Sequence, residues 1–500
     1  MALRAIVKKK ALRVTLVVEA TLAMTTGFES LKKIGFLGLL ATCAVTAIPG
    51  SETAAQTKDA VTFSKHIAPI LQRSCQQCHR TGGVAPMSLL TFEEARPYAR
   101  AMKARTALRD KRGAMPPWYI EKNIGIQQFK DDFSLSEDEI AKIAAWSDNG
   151  APQGNPADMP PPLVFADDKA WRIGTPDLIV VSPTVEMKAV QPDWFGSIGT
   201  SPTGLTEDRY VAAVEVKEVN DIRGKAGRTS TVGGLWLFHH AAYAALTRDG
   251  GGGGVSQFPV HEVGRNADVF DAEAGKLLAA NSMLAFNSVH LHANGVDAKA
   301  HLEVGFKFHP KGYKPTMNFR QLFVGNGPDL DIKPLEANQR VDAYYTLPQH
   351  MKISIYEPHM HAPGVRMCLE AIWGVTVQTL NCSKYDHNWV RAYWYADDAA
   401  PLLPRGTILH VVGYFDTTPA NRNVPDGRNW SGSGHRSVDN MMINLMQAIG
   451  LSDEQFQAEI EKRRQRLGLK EGQTVLGCPL CGGGPILLRP PAAQAPAGAN

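Results

Sequence analysis

The chain has 500 residues, a formal net charge of +4 and 44% hydrophobic residues. This length is too great for a single ordinary core and predicts about three domains. The small net charge, without a basic stripe interleaved with aromatic residues, argues against a nucleic-acid-binding protein. The 45 glycines and 32 prolines, together with short alternating apolar runs, indicate a body rich in β-strands.

The N-terminal segment, residues 1–55, has the pattern of an export signal. Lys32-Lys33 precede an apolar run over 34–48, and Ala54-Ala55 offers a small-residue cleavage point. The run is shorter than the ~20 residues that a bilayer span needs. Cys43 lies in a poor match to a lipoprotein box, which makes a lipid anchor an alternative. We therefore expect a periplasmic or secreted protein with no stable membrane span in the mature chain.

Residues 61–154 contain the motif Cys75-Gln76-Gln77-Cys78-His79. This spacing is used for covalent attachment of c-type haem. Cys75 and Cys78 would form thioethers to the haem, and His79 would bind the iron. A methionine as second axial ligand gives a high reduction potential. Met115, 36 residues after His79, is the first candidate, and Met87 is the alternative. The motif predicts a cytochrome c domain.

The end of this domain has the pattern of a helix followed by a linker. The run Ser134-Leu135-Ser136-Glu137 resembles a capping box and would open a helix over 138–148. Four prolines then occur within residues 155–175, so we expect a semi-rigid linker there.

Beyond the linker, short alternating apolar runs predict strands. They suggest one β-domain over 176–330 and a second over 343–450, separated by a stretch of polar and turn-forming residues. A basic helix over 452–467 and a disordered tail would complete the chain in residues 451–500.

His359 and His361 follow an alternating apolar run at 351–356. Residues two apart on a strand project to one face, so a single metal ion can bind both imidazoles. Imidazole suits copper, zinc, iron or nickel. A bare His-x-His also occurs by chance, so the hypothesis depends on other ligands elsewhere in the chain.

Other candidate ligands lie at three further places. His239 and His240 end an apolar run, and because neighbouring strand residues face opposite sides, both can bind one ion only if the backbone twists or bulges there. His290 and His292 precede an Asn-Gly turn. An acid-led methionine pair, Met441-Met442, lies near the end of the second β-domain.

In their order along the chain, these clusters resemble those of the copper type II, ascorbate-dependent monooxygenases, which include peptidylglycine α-hydroxylating and dopamine β-monooxygenase. The similarity spans residues 175 to 450. With the haem motif in front, the layout resembles exported bacterial proteins in which a cytochrome c is fused to such a monooxygenase. The resemblance implies a small all-α cytochrome c domain followed by two all-β, jelly-roll-like sandwich domains.

The resemblance also implies two copper ions facing each other across an open cleft. The first would be bound by His239, His240 and a third histidine, either His290 or His292, and would store and pass one electron. The second would be bound by His359, His361 and a thioether, which favours Cu(I). Met441 is the first choice for that thioether and Met442 the alternative. Substrate and dioxygen would react at the second copper.

Two positions depart from the peptide-processing members of that family. Glu357 stands where they have an arginine that binds the substrate carboxylate, and Leu445 stands where they have a tyrosine that assists it. We therefore expect a small organic substrate rather than a peptide.

The remaining cysteines suggest bridges. Cys368 and Cys382 lie near the two strands of a predicted hairpin and could form a disulfide in an oxidising compartment. Cys478 and Cys481 have no following histidine, which excludes haem and leaves a disulfide or half of a zinc site.

Two functional hypotheses follow. The first is an exported dicopper monooxygenase that hydroxylates a C–H bond with dioxygen, its electrons relayed by the fused haem c from a periplasmic donor. The second is a non-catalytic haem c and copper protein that carries electrons or binds copper. Electron flow in the opposite direction, from the coppers through the haem to an acceptor, stays open at this stage.

Overall fold

The computed structural model describes residues 60–81, 83–165, 170–222, 235–247, 254–262 and 267–483. The predicted export segment, with Cys43, and the last part of the predicted tail lie outside these ranges. Among the helices in the described ranges, none combines the length and the apolar character needed to cross a bilayer.

The described chain begins with short helices packed around one apolar core. A π-helical turn (Phe63–Ile67) leads into α1 (Ala68–Ser74), followed by α2 (Phe92–Ala95), a 3-10 turn (Arg96–Tyr98), α3 (Ala99–Thr106), β1 (Ile120–Gly125), α4 (Glu137–Asp148) and a second 3-10 turn (Pro156–Asp158). Phe63 and Trp146 are fully buried in this core, with ring centroids 5.8 Å apart.

The capping box of α4 lies two residues later than the sequence predicted. The Ser136 hydroxyl accepts a hydrogen bond from Glu139 N, and the Glu139 carboxylate accepts one from Ser136 N. Leu135, just before the cap, packs in the same core as Ile140. This hydrophobic staple makes Ser136, rather than Ser134, the helix start.

Two antiparallel sheets then form the first sandwich. Its strands are β2 (Leu178–Val181), β3 (Val185–Met187), β4 (Trp194–Gly196), β5 (Gly199–Pro202), β6 (Arg209–Asn220), β7 (Phe238–Leu246), β8 (Val255–Gln257), β9 (His261–Glu262), β10 (Ala267–Val269), β11 (Lys276–Leu278), β12 (Met283–Leu291) and β13 (Ala298–Phe308). One sheet has the order β10-β6-β13-β2, with β11 on β6 and β3 on β13. The other has the order β4-β12-β7-β8, with β5 on β12 and β9 on β7. Apolar side chains from both sheets form one core.

The second sandwich is built in the same way. Its strands are β14 (Asn318–Gly325), β15 (Gln339–Thr346), β16 (His350–Ile353), β17 (Ile355–Tyr356), β18 (Pro358–Met360), β19 (Gly364–Trp373), β20 (Thr376–Lys384), β21 (Tyr393–Trp394), β22 (Leu402–Leu403), β23 (Ile408–Phe415) and β24 (Met442–Leu451), followed by α5 (Asp453–Leu467). One sheet has the order β1-β20-β19-β23-β15, and the other β14-β24-β16-β22 with β18 on β24. β17 pairs with β21. The prediction of all-β sandwich domains is confirmed for this part of the chain.

β1 connects the helical region to the second sandwich. It pairs antiparallel with β20, with Ile120 opposite Ser383. Trp118, Ile120 and Phe129 are buried in the core of the second sandwich, not among the helices. The sequence-derived range 61–154 therefore contains a segment whose core contacts lie more than two hundred residues further along the chain.

Two disulfides are present. Cys368 and Cys382 occupy opposed positions on β19 and β20 and are bonded, as predicted. Cys478 and Cys481 are also bonded to each other, so they do not form half of a zinc site. Disulfides of this kind indicate an oxidising environment.

Candidate metal centre

Seven histidines from four chain segments meet where the two sandwiches face each other. They are His239 and His240 on β7, His290 and His292 at the end of β12, His359 and His361 at the end of β18, and His387 between β20 and β21. Six of these side chains are buried, and His292 is half-buried. Such a concentration of buried imidazoles is the main unexplained polar feature of the described chain.

The first trio consists of His239, His290 and His292, each of which offers one ring nitrogen within 4.8 Å of the other two. Their ring centroids lie 4.6 to 5.0 Å apart. The sequence left His290 and His292 as alternatives, and the structure brings both beside His239.

The second trio consists of His240, His359 and His361. Each offers one ring nitrogen within 4.8 Å of those of the other two. The resemblance placed His240 with His239 instead. The strand register explains the difference. His290 lies opposite His240 and Leu291 opposite Phe238, so His239 is the extra residue of a β-bulge. The predicted bulge exists, and it sends the two neighbouring histidines to different trios.

Met441, the expected thioether ligand, directly precedes β24. On β18, His359 lies opposite Ile443 and Met360 opposite Met442. The pairing ends there, one residue short of Met441. Met442 packs in the apolar core of the second sandwich, which leaves Met441 as the candidate thioether.

The two trios adjoin each other. The rings of His240 and His290, which belong to different trios, lie 5.3 Å apart, and those of His239 and His240 lie 5.7 Å apart. The open cleft between the two coppers that the resemblance implies is therefore replaced here by one continuous group of imidazoles.

Two carboxylates orient the imidazoles. Glu262 on β9 is 1% exposed, and its Oε1 lies 2.5 Å from Nδ1 of His359. Asp193 Oδ2 lies 3.2 Å from both Nε2 of His290 and Nδ1 of His292. Carboxylates that hold the second ring nitrogen set the tautomer of a metal-binding histidine. No pattern in the sequence pointed to these acids, because each lies far along the chain from its histidine.

Burial and repulsion between neighbouring rings favour the neutral form of three trio histidines. Burial, followed by the neighbouring His387, lowers the pKa of His239 well below its usual value. Burial and His359 do the same to the pKa of His240 and of His361. Burial opposes ionisation of Asp193, but hydrogen bonds to His290 and His292 hold the pKa of that carboxyl far below its usual range. Neutral imidazole is the form that binds metal ions.

A further observation bears on whether the trios fit a metal ion. Nδ1 of His290 and Nδ1 of His361 are buried without a hydrogen-bond partner. A buried polar atom left unpaired costs about 1–3 kcal/mol, so a cation bound in each trio would relieve one such nitrogen there. Imidazole nitrogens suit copper, zinc, iron or nickel.

The haem motif lies just after α1. Cys75 N donates to Leu71 O and His79 N donates to Cys75 O, so the motif forms a tight turn. Nδ1 of His79 lies 3.2 Å from the Met87 carbonyl oxygen, which leaves Nε2 as the nitrogen for an axial bond. Cys75 and Cys78 are free thiols, and burial and the nearby Cys78 raise the pKa of Cys75 to about 12. These features fit covalent haem attachment.

A cavity of about 2860 Å³ connects the two sites. Its lining includes Cys78, His79 and Met115 as well as His239 and His292. Met115 is 39% exposed, whereas Met87 packs against the helical core. Of the two predicted axial methionines, Met115 is therefore the one that lines this cavity.

The structure also shows the surroundings of Glu357, Leu445 and His435. Glu357 is fully buried, and its backbone N–H donates to Asn444 Oδ1. Leu445 is also buried. His435 stacks on Phe195 with ring centroids 4.8 Å apart.

The sequence matches no protein-family model and no curated protein. Among solved structures, the tandem CBM22-1–CBM22-2 domain of Xyn10C from Paenibacillus barcinonensis is 8% identical, with a TM-score of 0.13, over 57% of this chain and all of that one. A structure of the infectious bursal disease virus Gx strain is 8% identical, with a TM-score of 0.13, over 62% of this chain and 93% of that one. Likenesses this weak carry no argument about function.

Proposed function

We propose that the chain is an exported, copper-dependent oxidoreductase that hydroxylates a small organic substrate with dioxygen. The observation that supports this most is the pair of buried histidine trios, His239/His290/His292 and His240/His359/His361, meeting between the two sandwiches. Copper ions bound there would supply one-electron redox chemistry and activation of dioxygen.

The chain's own residues would prepare these sites in three ways. Glu262 and Asp193 hold the rings of His359 and of His290 and His292. Burial favours the unprotonated form of His239, His240 and His361, the form that binds a metal. Met441, just before β24, would add a soft ligand that favours the reduced ion.

The haem motif supports an electron relay within the same chain. Cys75, Cys78 and His79 would hold haem c, with Met115 as the second axial ligand. The loop after β20 contacts the segment that follows Met115: Tyr119 donates to Asp386, and the next residue, His387, lies in the histidine cluster. The disulfides support an exported, periplasmic or secreted location, where a soluble donor would reduce the haem.

A second candidate is a non-catalytic electron carrier or copper-binding protein. It is favoured by the burial of the second trio, whose three histidines are each at most 7% exposed and leave little room for a substrate. An electron carrier benefits from such enclosure, whereas an oxygenase needs access to its reactive ion.

The experiment uses the purified full chain, with haem incorporated during export. Metal analysis should give one iron and two coppers per chain. Oxygen uptake should then rise when reductant and substrates of a broad small-molecule panel are added, with labelled oxygen appearing in a hydroxylated product. His239→Ala should remove the uptake, and His410→Ala, a buried histidine outside the cluster, should not.

A copper content near zero would overturn the proposal as a whole. Two coppers without stimulated oxygen uptake on any member of the panel would favour the carrier.

A further inference from the structure

His387 is a buried histidine that neither trio contains. It lies in a turn after β20 that is held by Asp386, whose carbonyl accepts from Trp389 N and whose side chain accepts from Asn388 N. The Asp386 carboxylate also accepts a hydrogen bond from Tyr119. These contacts fix the turn, and the side chain of His387 lies among the cluster histidines.

The ring of His387 adjoins one member of the first trio. Its centroid lies 4.7 Å from that of His239, a spacing like the 4.6 to 5.0 Å between the rings of the trio itself. Its distance to His361 of the second trio is longer, at 6.0 Å.

The ring nitrogens of His387 are unsatisfied. The side chain is 6% exposed, and neither Nδ1 nor Nε2 has a hydrogen-bond partner of ordinary geometry. Other buried histidines of the second sandwich differ. His350 bonds to Asp453 and Arg405 N, and His410 bonds to Glu370 and Asp342. The Met360 backbone interacts with one of these nitrogens, which leaves the other unpaired. A buried unpaired nitrogen is costly unless it binds an ion.

We propose that His387 is a fourth imidazole ligand of the metal ion bound by His239, His290 and His292. This inference rests on the proposed copper sites and assigns a separate role to each of the two ions. An ion with four protein ligands has no open position, whereas one with three retains a place for an exogenous ligand. The first ion would therefore only exchange electrons, and the ion at His240, His359 and His361 would be the one open to dioxygen.

The test compares copper binding by the full-length wild type, His387→Ala and His410→Ala, each loaded with copper alone and titrated with a chelator. His387→Ala should lose about 10- to 100-fold in affinity for one of the two coppers. X-ray absorption should show fewer imidazoles per copper in this variant. His410→Ala should match the wild type in both measurements. If His387→Ala fails to fold, His387→Gln, which keeps most of the side-chain volume, takes its place.

A folded His387 variant with unchanged affinity and imidazole count would overturn the inference. To identify the affected ion, His387→Ala is repeated in a His359→Ala background, where the first site is the intact one. Loss of affinity there supports the assignment to the first ion, and no change there contradicts it. A wild type that binds no copper would instead reject the proposed function, so the two failures are distinguishable.

Discussion

At the scale of single residues, the centre depends on pairs in which a carboxylate holds an imidazole. Glu262 lies opposite His240 in the β7–β9 ladder and reaches across to His359. One acid of the first sandwich thus orients a ligand of the second. A substitution here changes the orientation of the ring without removing a metal ligand.

We expect Glu262→Gln to weaken copper binding at the second trio by about 10- to 100-fold, because the carboxylate no longer sets the His359 tautomer. Chelator competition on the copper-loaded protein measures this. Glu370→Gln is the matched control, since Glu370 holds His410 at 2.8 Å in the same way but outside the cluster. Equal affinities in the two variants would contradict the role given to Glu262.

The lowered histidine pKa values predict a pH-dependent stability of the metal-free protein. The pKa values of His239, His240, His361 and His387 are lower in the folded state than in the unfolded chain. As the pH falls below about 6.5, the unfolded chain therefore binds protons that the folded state does not, and the free energy of unfolding decreases.

Each such histidine contributes up to about 1.4 kcal/mol per pH unit. Two carboxyl groups oppose the four histidines over this range: burial raises the pKa of Glu218 to about 7 and also raises the pKa of Glu215. Urea denaturation at pH 7 and pH 5 measures the difference, and His387→Ala should reduce it. A metal-free protein equally stable at both values would show that the cluster is not held neutral.

At the scale of secondary structure elements, β1 joins regions that the sequence assigned to different domains. Trp118, next to this strand, is 4% exposed, with its ring 5.1 Å from those of Phe133 and Tyr393. The segment between α3 and α4 therefore contributes the strand β1 and the buried ring of Trp118 to the second sandwich.

Trp118→Ala should destabilise the protein by about 3–5 kcal/mol, because it leaves a cavity in that core. Thermal or urea unfolding followed by near-ultraviolet circular dichroism measures the loss. Trp430→Ala, at a position 62% exposed, should change stability by less than about 0.5 kcal/mol. Similar effects in the two variants would argue against the packing of β1 on the second sandwich.

At the scale of the whole molecule, the haem motif and the histidine cluster both line one cavity, yet they are built from separate elements. The motif lies on the helical part, while the trios depend on strands of the two sandwiches. Loss of the haem should therefore leave the copper sites intact.

The double variant Cys75→Ala/Cys78→Ala should contain no covalent haem and should still bind two coppers. Its oxygen uptake with a donor that reduces only the haem should disappear. Metal analysis and oxygen-electrode measurements check both expectations. The corresponding double variant at Cys478 and Cys481, which form a separate disulfide, should keep its iron. Loss of copper in the haem-free variant would mean that the two sites are structurally coupled.

The sequence alone predicted those features that depend on residues close together in the chain. The Cys75–His79 motif depends on spacing within five residues, and His359 and His361 share a face because strand residues alternate. The strand-rich body and the Cys368–Cys382 bridge were predictable for similar reasons.

Only the tertiary structure decided which histidines lie together in a trio. A β-bulge at His239 sends His239 and His240 to different trios, and the register that creates it depends on a strand fifty residues away. Glu262, Asp193 and His387 are single residues without a local pattern. Their roles arise from contacts between segments far apart in the chain, and such contacts exist only once the sandwiches have packed and excluded water from the imidazoles.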